Sequence, residues 1–157
     1  MALTLITTAT NKAKQYVAEM IGSSADADAL NAAWRISHFA VTTNGHDGGG
    51  LALTPDPTTE CTDPLWCGAI PFLSGLRYKA ITGYSYLTPT CPVFECFIAQ
   101  NECVGQISQV MLLATLVGAA HPVAPPPHFV AAIGNMDLNS KGALDEWTFN
   151  VGMYMGV

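Results

Sequence analysis

Five cysteines and four histidines are the residues of this chain best suited to chemistry, and their spacing limits what they can do. Cys61 and Cys67 lie six apart, and Cys91, Cys96 and Cys103 follow at gaps of five and seven. Structural zinc sites use tighter cysteine pairs, so the five are read as buried or half-buried thiols and not as metal ligands. An odd number of cysteines without a visible export signal implies no complete disulfide framework. Reduced thiols are the simpler reading. His38, His46, His121 and His128 are dispersed, and His46 with Asp47, inside the glycine-rich run T-N-G-H-D-G-G-G, is the one vicinal His–carboxylate pair. It is assigned to an exposed polar loop. A Cys–His hydrolase needs a thiolate beside a base on a turn that exposes the nucleophile, and no local sequence supplies that turn. Gly48 to Gly50 lacks the strand–loop–helix setting and the following Lys–Ser/Thr of a phosphate cradle. The chain is therefore expected to be no enzyme, and to need no cofactor and no metal.

Composition points to surfaces instead. Only 11% of the 157 residues are charged and 50% are hydrophobic, against roughly 25% charged in ordinary soluble domains. Such a surface is kept in solution by Thr, Ser, Asn and Gly, or is covered by partner chains. A net charge of -6, with six Lys and Arg scattered singly, gives no positive stripe for phosphates, so nucleic acid is not expected as a ligand. The longest apolar run, Val110 to Ala120, is about half the roughly 20 residues of a membrane span. No membrane association is expected.

The elements that would position these residues read as follows. Thr10 and Asn11 can cap a helix whose apolar positions Ala13, Tyr16, Val17, Met20 and Ile21 recur at helical spacing before Gly22 stops it. Ser24 can cap a second helix through Ala33. Trp34, Ile36 and Phe39 to Val41 suggest a strand, ended by a flexible surface loop that the Pro-, Thr- and Asp-rich segment Thr54 to Pro64 prolongs. Strands are expected at Trp66 to Leu73, Arg77 to Leu87, Val93 to Ala99, Ile107 to Val117, Phe129 to Gly134 and Glu146 to Met155. The last alternates cleanly, with Trp147, Phe149, Val151, Met153 and Met155 on one face. The implied fold is α+β, mainly antiparallel β and sandwich-like, with an N-terminal helix. Residues 1–22 would form an arm and helix, and residues 23–157 a single mainly-β domain with a long loop over 43–64. Tyr78, Tyr84, Tyr86, Trp66 and Trp147 can stack on sugars, but core or subunit interface is the more economical assignment.

Four segments carry a family likeness: L-T-L-I-T with T-N-K-A-K-Q-Y-V-A-E-M-I-G; W-R-I-S-H-F-A-V-T-T-N-G-H-D; L-A-L-T-P-D-P-T-T-E with the later I-S-Q-V-M-L-L-A-T-L; and F-V-A-A-I-G-N-M-D-L-N-S-K with W-T-F-N-V-G-M-Y. In this order they resemble the baseplate and tail-fibre connector proteins of tailed bacteriophages. Gln109 stands where that family often has an acid, and the Cys91 to Cys103 region departs from its pattern. The resemblance implies a structural protein of the virion, in the tail or baseplate and assembled in the host cytoplasm, whose partners are other tail or baseplate proteins. It also implies a homo-oligomer, a trimer or part of a six-fold ring. The expected contacts are Leu3, Leu5, Tyr16 and Met20 on the arm and helix, and His46, Asp47, Leu53 and Trp66 on or beside the long loop. A host-surface glycan-binding fibre or adhesin module is the alternative.

Overall fold

A computed structural model describes residues 1–22, 34–68, 71–89, 91–116 and 128–153 of the chain, without the side chains of residues 6, 16, 18–22 and 116. The proposed second helix lies outside the described residues. So do Tyr154 and Met155.

The chain begins with strand β1 (Ala2–Ala9), where Leu3, Leu5 and Ala9 turn toward the core and the buried Thr7 hydroxyl donates to the Gly152 carbonyl at 3.0 Å. Thr10 ends the strand and starts helix α1 (Asn11–Gly22). Its Oγ1 accepts the Ala13 amide at 3.2 Å as an N-cap and donates to the Val130 carbonyl. The cap is thus itself buried and ties the helix to the sheet. Then follow β2 (Trp34–Thr42), β3 (Leu65–Trp66), β4 (Arg77–Ala80), β5 (Gly83–Thr88), β6 (Cys91–Ile98), β7 (Gly105–Leu116), β8 (His128–Lys141) and β9 (Trp147–Met153).

All nine strands join in one sheet, in the order β3-β4-β2-β7-β8-β1-β9-β6-β5. Strand β1 is its hinge. Residues Ala2 to Thr7 pair parallel with β9, and Thr8 and Ala9 then pair antiparallel with Ile133 and Ala132 of β8. A single core gathers Phe39, Val110 and Leu112 from the β2–β7 side with Cys96, Ile98, Trp147, Phe149 and Val151 from the β6–β9 side. The two wings therefore close on one interior, and the alternation of β9 is the one expected for a strand with one buried face.

These findings correct the expected α+β and sandwich-like fold, while most of the strand pairings are antiparallel as expected. The protein is mainly β, built on one continuous mixed sheet, and its N-terminal helix is short, at 12 residues. Nor do residues 1–22 stand apart from the body. Their Leu3 and Leu5 alternate as in an extended arm, but β1 finds hydrogen-bond partners on both sides and fills the middle of the sheet. Arg77 to Leu87, read as one strand, is two. Ile81 still donates to the Ser37 carbonyl of one wing, whereas Thr82 donates to the Glu95 carbonyl of the other. The chain changes wings between consecutive residues, just before Gly83 opens β5. Trp66 to Leu73 shrinks to the two residues of β3, and Phe129 to Gly134 lengthens to the 14 of β8.

Strand β7 is buried on both faces from Ile107 to Thr115. Its second face joins Ala40, Tyr78, Met111, Leu113, Val130 and Ile133, packed against by Cys61, Trp66 and Leu76. The connection over 43–64, expected to be flexible, is tied to this side of the sheet. Asp137 accepts the Ala52 amide at 2.8 Å, Asn135 donates to the Leu53 carbonyl at 3.0 Å, and the Leu138 amide donates to Gly50. Gly45 has no room for a side chain, since a Cβ there would lie 2.2 Å from the Ser108 carbonyl oxygen.

Candidate interaction surface

Among the described residues, the cysteines and histidines singled out for chemistry do not gather at one place, Cys67 and Cys103 excepted. His46 Nδ1 lies 2.9 Å from the Ser108 hydroxyl, which also accepts the Gly45 amide. The Asp47 carboxylate instead accepts the amides of Leu51 and Gly49, and these bonds hold its pKa below the ordinary value. The vicinal pair is thus spent on the loop's own shape and on its seat against β7, where Ser108 is wholly buried. Burial pushes the Cys61 thiol up to about 12, and Cys96 is pushed up by the same cause. Among the described residues no three His, Cys, Asp or Glu groups converge as a metal site. Cys67 and Cys103 do meet, with sulfurs 2.8 Å apart. Gln109 is buried and donates to Asn135 at 2.8 Å, so an amide suits a place where a carboxylate would be a costly buried charge.

The expected contact residues separate into three groups. Leu3 and Leu5 pack on the core, and Trp66 sits half-buried against Tyr78 with ring centroids 5.1 Å apart. These three contribute to the fold. His46, Asp47 and Leu53 come together in a hairpin closed by the His46–Ala52 bridge, with Leu51 and Leu53 exposed at its end. The side chains of Tyr16 and Met20 lie outside the described residues. No helix among the described residues is long and apolar enough to cross a membrane.

A surface outside the expected contact residues stands out at the β5 end of the sheet. Tyr84, Tyr86 and Leu87 are 69%, 65% and 70% exposed. Tyr84 faces Phe94 across the β5–β6 pair, and Phe94 faces Val151 on β9. Directly opposed residues share one face of a sheet, so the tyrosines lie on the same face as the buried core residues. That face continues past the core to the edge and is uncovered there. The rings of Tyr84 and Tyr86 are 6.1 Å apart and nearly perpendicular, a favourable aromatic arrangement.

No family model and no curated protein matches this sequence.

The chemistry of β5 sharpens its meaning. Proteins commonly blunt exposed edge strands with charged residues or Pro, or by making them very short. Strand β5, G-Y-S-Y-L-T, carries no charge and no Pro over six residues, and its one irregularity is a register shift at Leu87. Two of the six basic residues, Arg77 and Lys141, are buried, which leaves still less charge at the surface. The sugar platform resolves differently: Trp147 and Tyr78 are core residues, and of the five aromatics only the Tyr84–Tyr86 pair is well exposed. Glu95 and Asn150, which border a hollow of about 160 Å³ beside Tyr84, belong to the opposite sheet face from the tyrosine rings, because adjacent residues of a strand alternate. The signal for this surface was present as the charge-free alternation Tyr84-Ser85-Tyr86. Whether such a strand lies inside a sheet or at its rim is set by distant pairing.

Proposed function

We propose that this chain is a structural protein of a tailed-bacteriophage particle, a baseplate or tail-fibre connector that joins its neighbours through the β5 end of its sheet. The observation that carries the docking part is the uncharged edge strand with Tyr84, Tyr86 and Leu87 uncovered on it. A partner strand laid along β5 satisfies its outer amides and carbonyls, and aromatic side chains fill the covered face. Few surface charges favour a permanent contact, where each unpaired charge would cost several kcal/mol on burial. The segments resembling tail-fibre connectors support the assignment to a virion. Neighbouring tail proteins and further copies of this chain, in a trimer or a six-fold ring, are the partners of this reading.

Gold labelling of the protein on intact particles tests the placement: label on the tail or baseplate is expected, and particles without label overturn it. Mass photometry of the purified chain tests self-association, with a purely monomeric protein excluding the homo-oligomer. The host-recognition alternative predicts retention on a glycan array that is lost when Tyr84 is replaced. It gains less from the structure, because the polar groups near the tyrosines belong to the opposite face of the strands.

A further inference from the structure

Cys67 follows β3 at one end of the sheet, and Cys103 sits in the turn between β6 and β7, 36 residues further on. Both are 1% exposed, and their sulfurs are 2.8 Å apart, nearer than two thiols not engaged with each other. Both anchors are fixed by the backbone. The Cys67 amide donates to the Tyr78 carbonyl, and Val104 exchanges hydrogen bonds with the 71–73 segment. Cys103 holds a φ of 46°, in the left-handed region that non-glycine residues adopt only when the surroundings impose it. Arg77 is fully buried beside them. Its Nη2 donates to the Phe72 carbonyl and the Ser74 hydroxyl, while Nε and Nη1 have no hydrogen-bond partner. A buried guanidinium short of acceptors favours an anion nearby, and a thiolate is one.

We infer that Cys67 and Cys103 are an oxidisable pair that hydrogen peroxide converts to a disulfide, stapling the β3 end of the sheet to the β6–β7 turn. The Cys67 thiolate attacks one peroxide oxygen, the O–O bond breaks, and the departing hydroxide takes a proton to become water. Cys67 is left as a sulfenic acid. The Cys103 sulfur then attacks the Cys67 sulfur, the S–O bond breaks, and the hydroxide leaves as a second water with the Cys103 proton. Two thiols and one hydrogen peroxide molecule give one disulfide and two waters. Cys67 is suited to the first step: the hydrogen bond from Cys103 holds its pKa below the ordinary thiol value against the opposing effects of burial and of the Glu102 carboxylate, with Lys79 and Arg77 adding smaller lowering contributions. Cys103 is pushed the other way by the same bond and by burial, as befits the resolving thiol. The inference does not depend on where the protein works.

The test uses the reduced, purified full chain treated with hydrogen peroxide, then unfolded, alkylated and mapped by mass spectrometry without reductant. The expected result is loss of two of the five alkylatable thiols, a peptide pair joined through Cys67 and Cys103, and full reversal by dithiothreitol. Closing a loop of this length is expected to raise Tm by about 10 °C. In Cys103→Ala the sulfenic acid at Cys67 persists and is trapped by dimedone. Five thiols remaining after treatment, or a cross-link between other cysteines, overturns the inference. An unchanged Tm overturns the staple.

Discussion

The two ends of the sheet face the same solvent and are finished in opposite ways. At one end β3 is only two residues long and follows the buried Pro64, and its Trp66 leans on the buried Tyr78. Brevity leaves little backbone there for another strand to find. At the other end β5 runs for six residues with no charge, and the core-side face of the sheet ends in bare tyrosines. One sheet thus has a closed end and an open one. The difference teaches that exposure at β5 is no general feature of this low-charge chain, since the same chain hides its other rim.

The frame that holds both ends is β1, and its removal gives the largest expected effect. Deleting residues 1–9 strips β9 of its parallel partner and β8 of its link to the second wing. It also removes Leu3, Leu5 and Ala9 from the core. Loss of the cooperative unfolding transition is expected, as followed by circular dichroism during urea titration. A truncated chain that kept its transition would show that the wings are separately stable and that residues 1–9 are a dispensable arm after all.

The closed end is weakened by Tyr78→Ala. Tyr78 is 1% exposed and packs against Trp66 and His38. Truncating a buried aromatic costs about 3–5 kcal/mol through lost transfer energy and the cavity left behind. Urea unfolding is expected to shift by that amount, with β5 untouched. A shift below about 1 kcal/mol would mean that the closed end is no better packed than an ordinary surface.

How far the sequence revealed this arrangement depends on which interactions are local. Strands β2, β6, β7 and β9 were legible, because their apolar residues either alternate or run unbroken between turn signals. The second half of β8, Asn135 to Lys141, was not. Its polar side chains hold the loop of residues 43–64 instead of marking a solvent face. Strand β1 was misplaced because its pairing with β9 joins residues more than 140 apart, and no local pattern distinguishes an arm from a central strand. The break between β4 and β5 is marked only by the single Gly83, because the chain changes hydrogen-bond partner at Ile81 and Thr82. For the surface, His46 and Asp47 were read from turn chemistry as part of a flexible exposed loop, and the hairpin closed by the His46–Ala52 bridge was not foreseen. The tyrosines of β5 were noticed as aromatics but not as a rim, because rank in the sheet is a property of the whole topology. The cysteine spacing excluded a compact zinc motif, yet it carried no sign that Cys67 and Cys103 meet, since that contact needs both turns in place.

The comparison is sharpened most by the change with the smallest expected effect on the isolated molecule. Replacing Tyr84 and Tyr86 together by Lys puts charge on an edge that has none, the device by which other proteins refuse a neighbouring strand. Both side chains are mostly solvated already, so stability in urea is expected to stay within about 0.5 kcal/mol for each substitution. Association should respond quite differently. Burying two ammonium groups without partners in a strand-to-strand contact is expected to weaken it at least 100-fold, because each unpaired charge costs several kcal/mol. The measurement is occupancy of the variant in particles beside the wild type, with mass photometry for self-association. A variant that folds normally but is missing from particles locates the contact at β5. If occupancy is normal, the open end is solvated in the particle and the exposed hairpin with Leu51 and Leu53 becomes the surface to replace next, since there too apolar side chains reach solvent beside a pinned backbone.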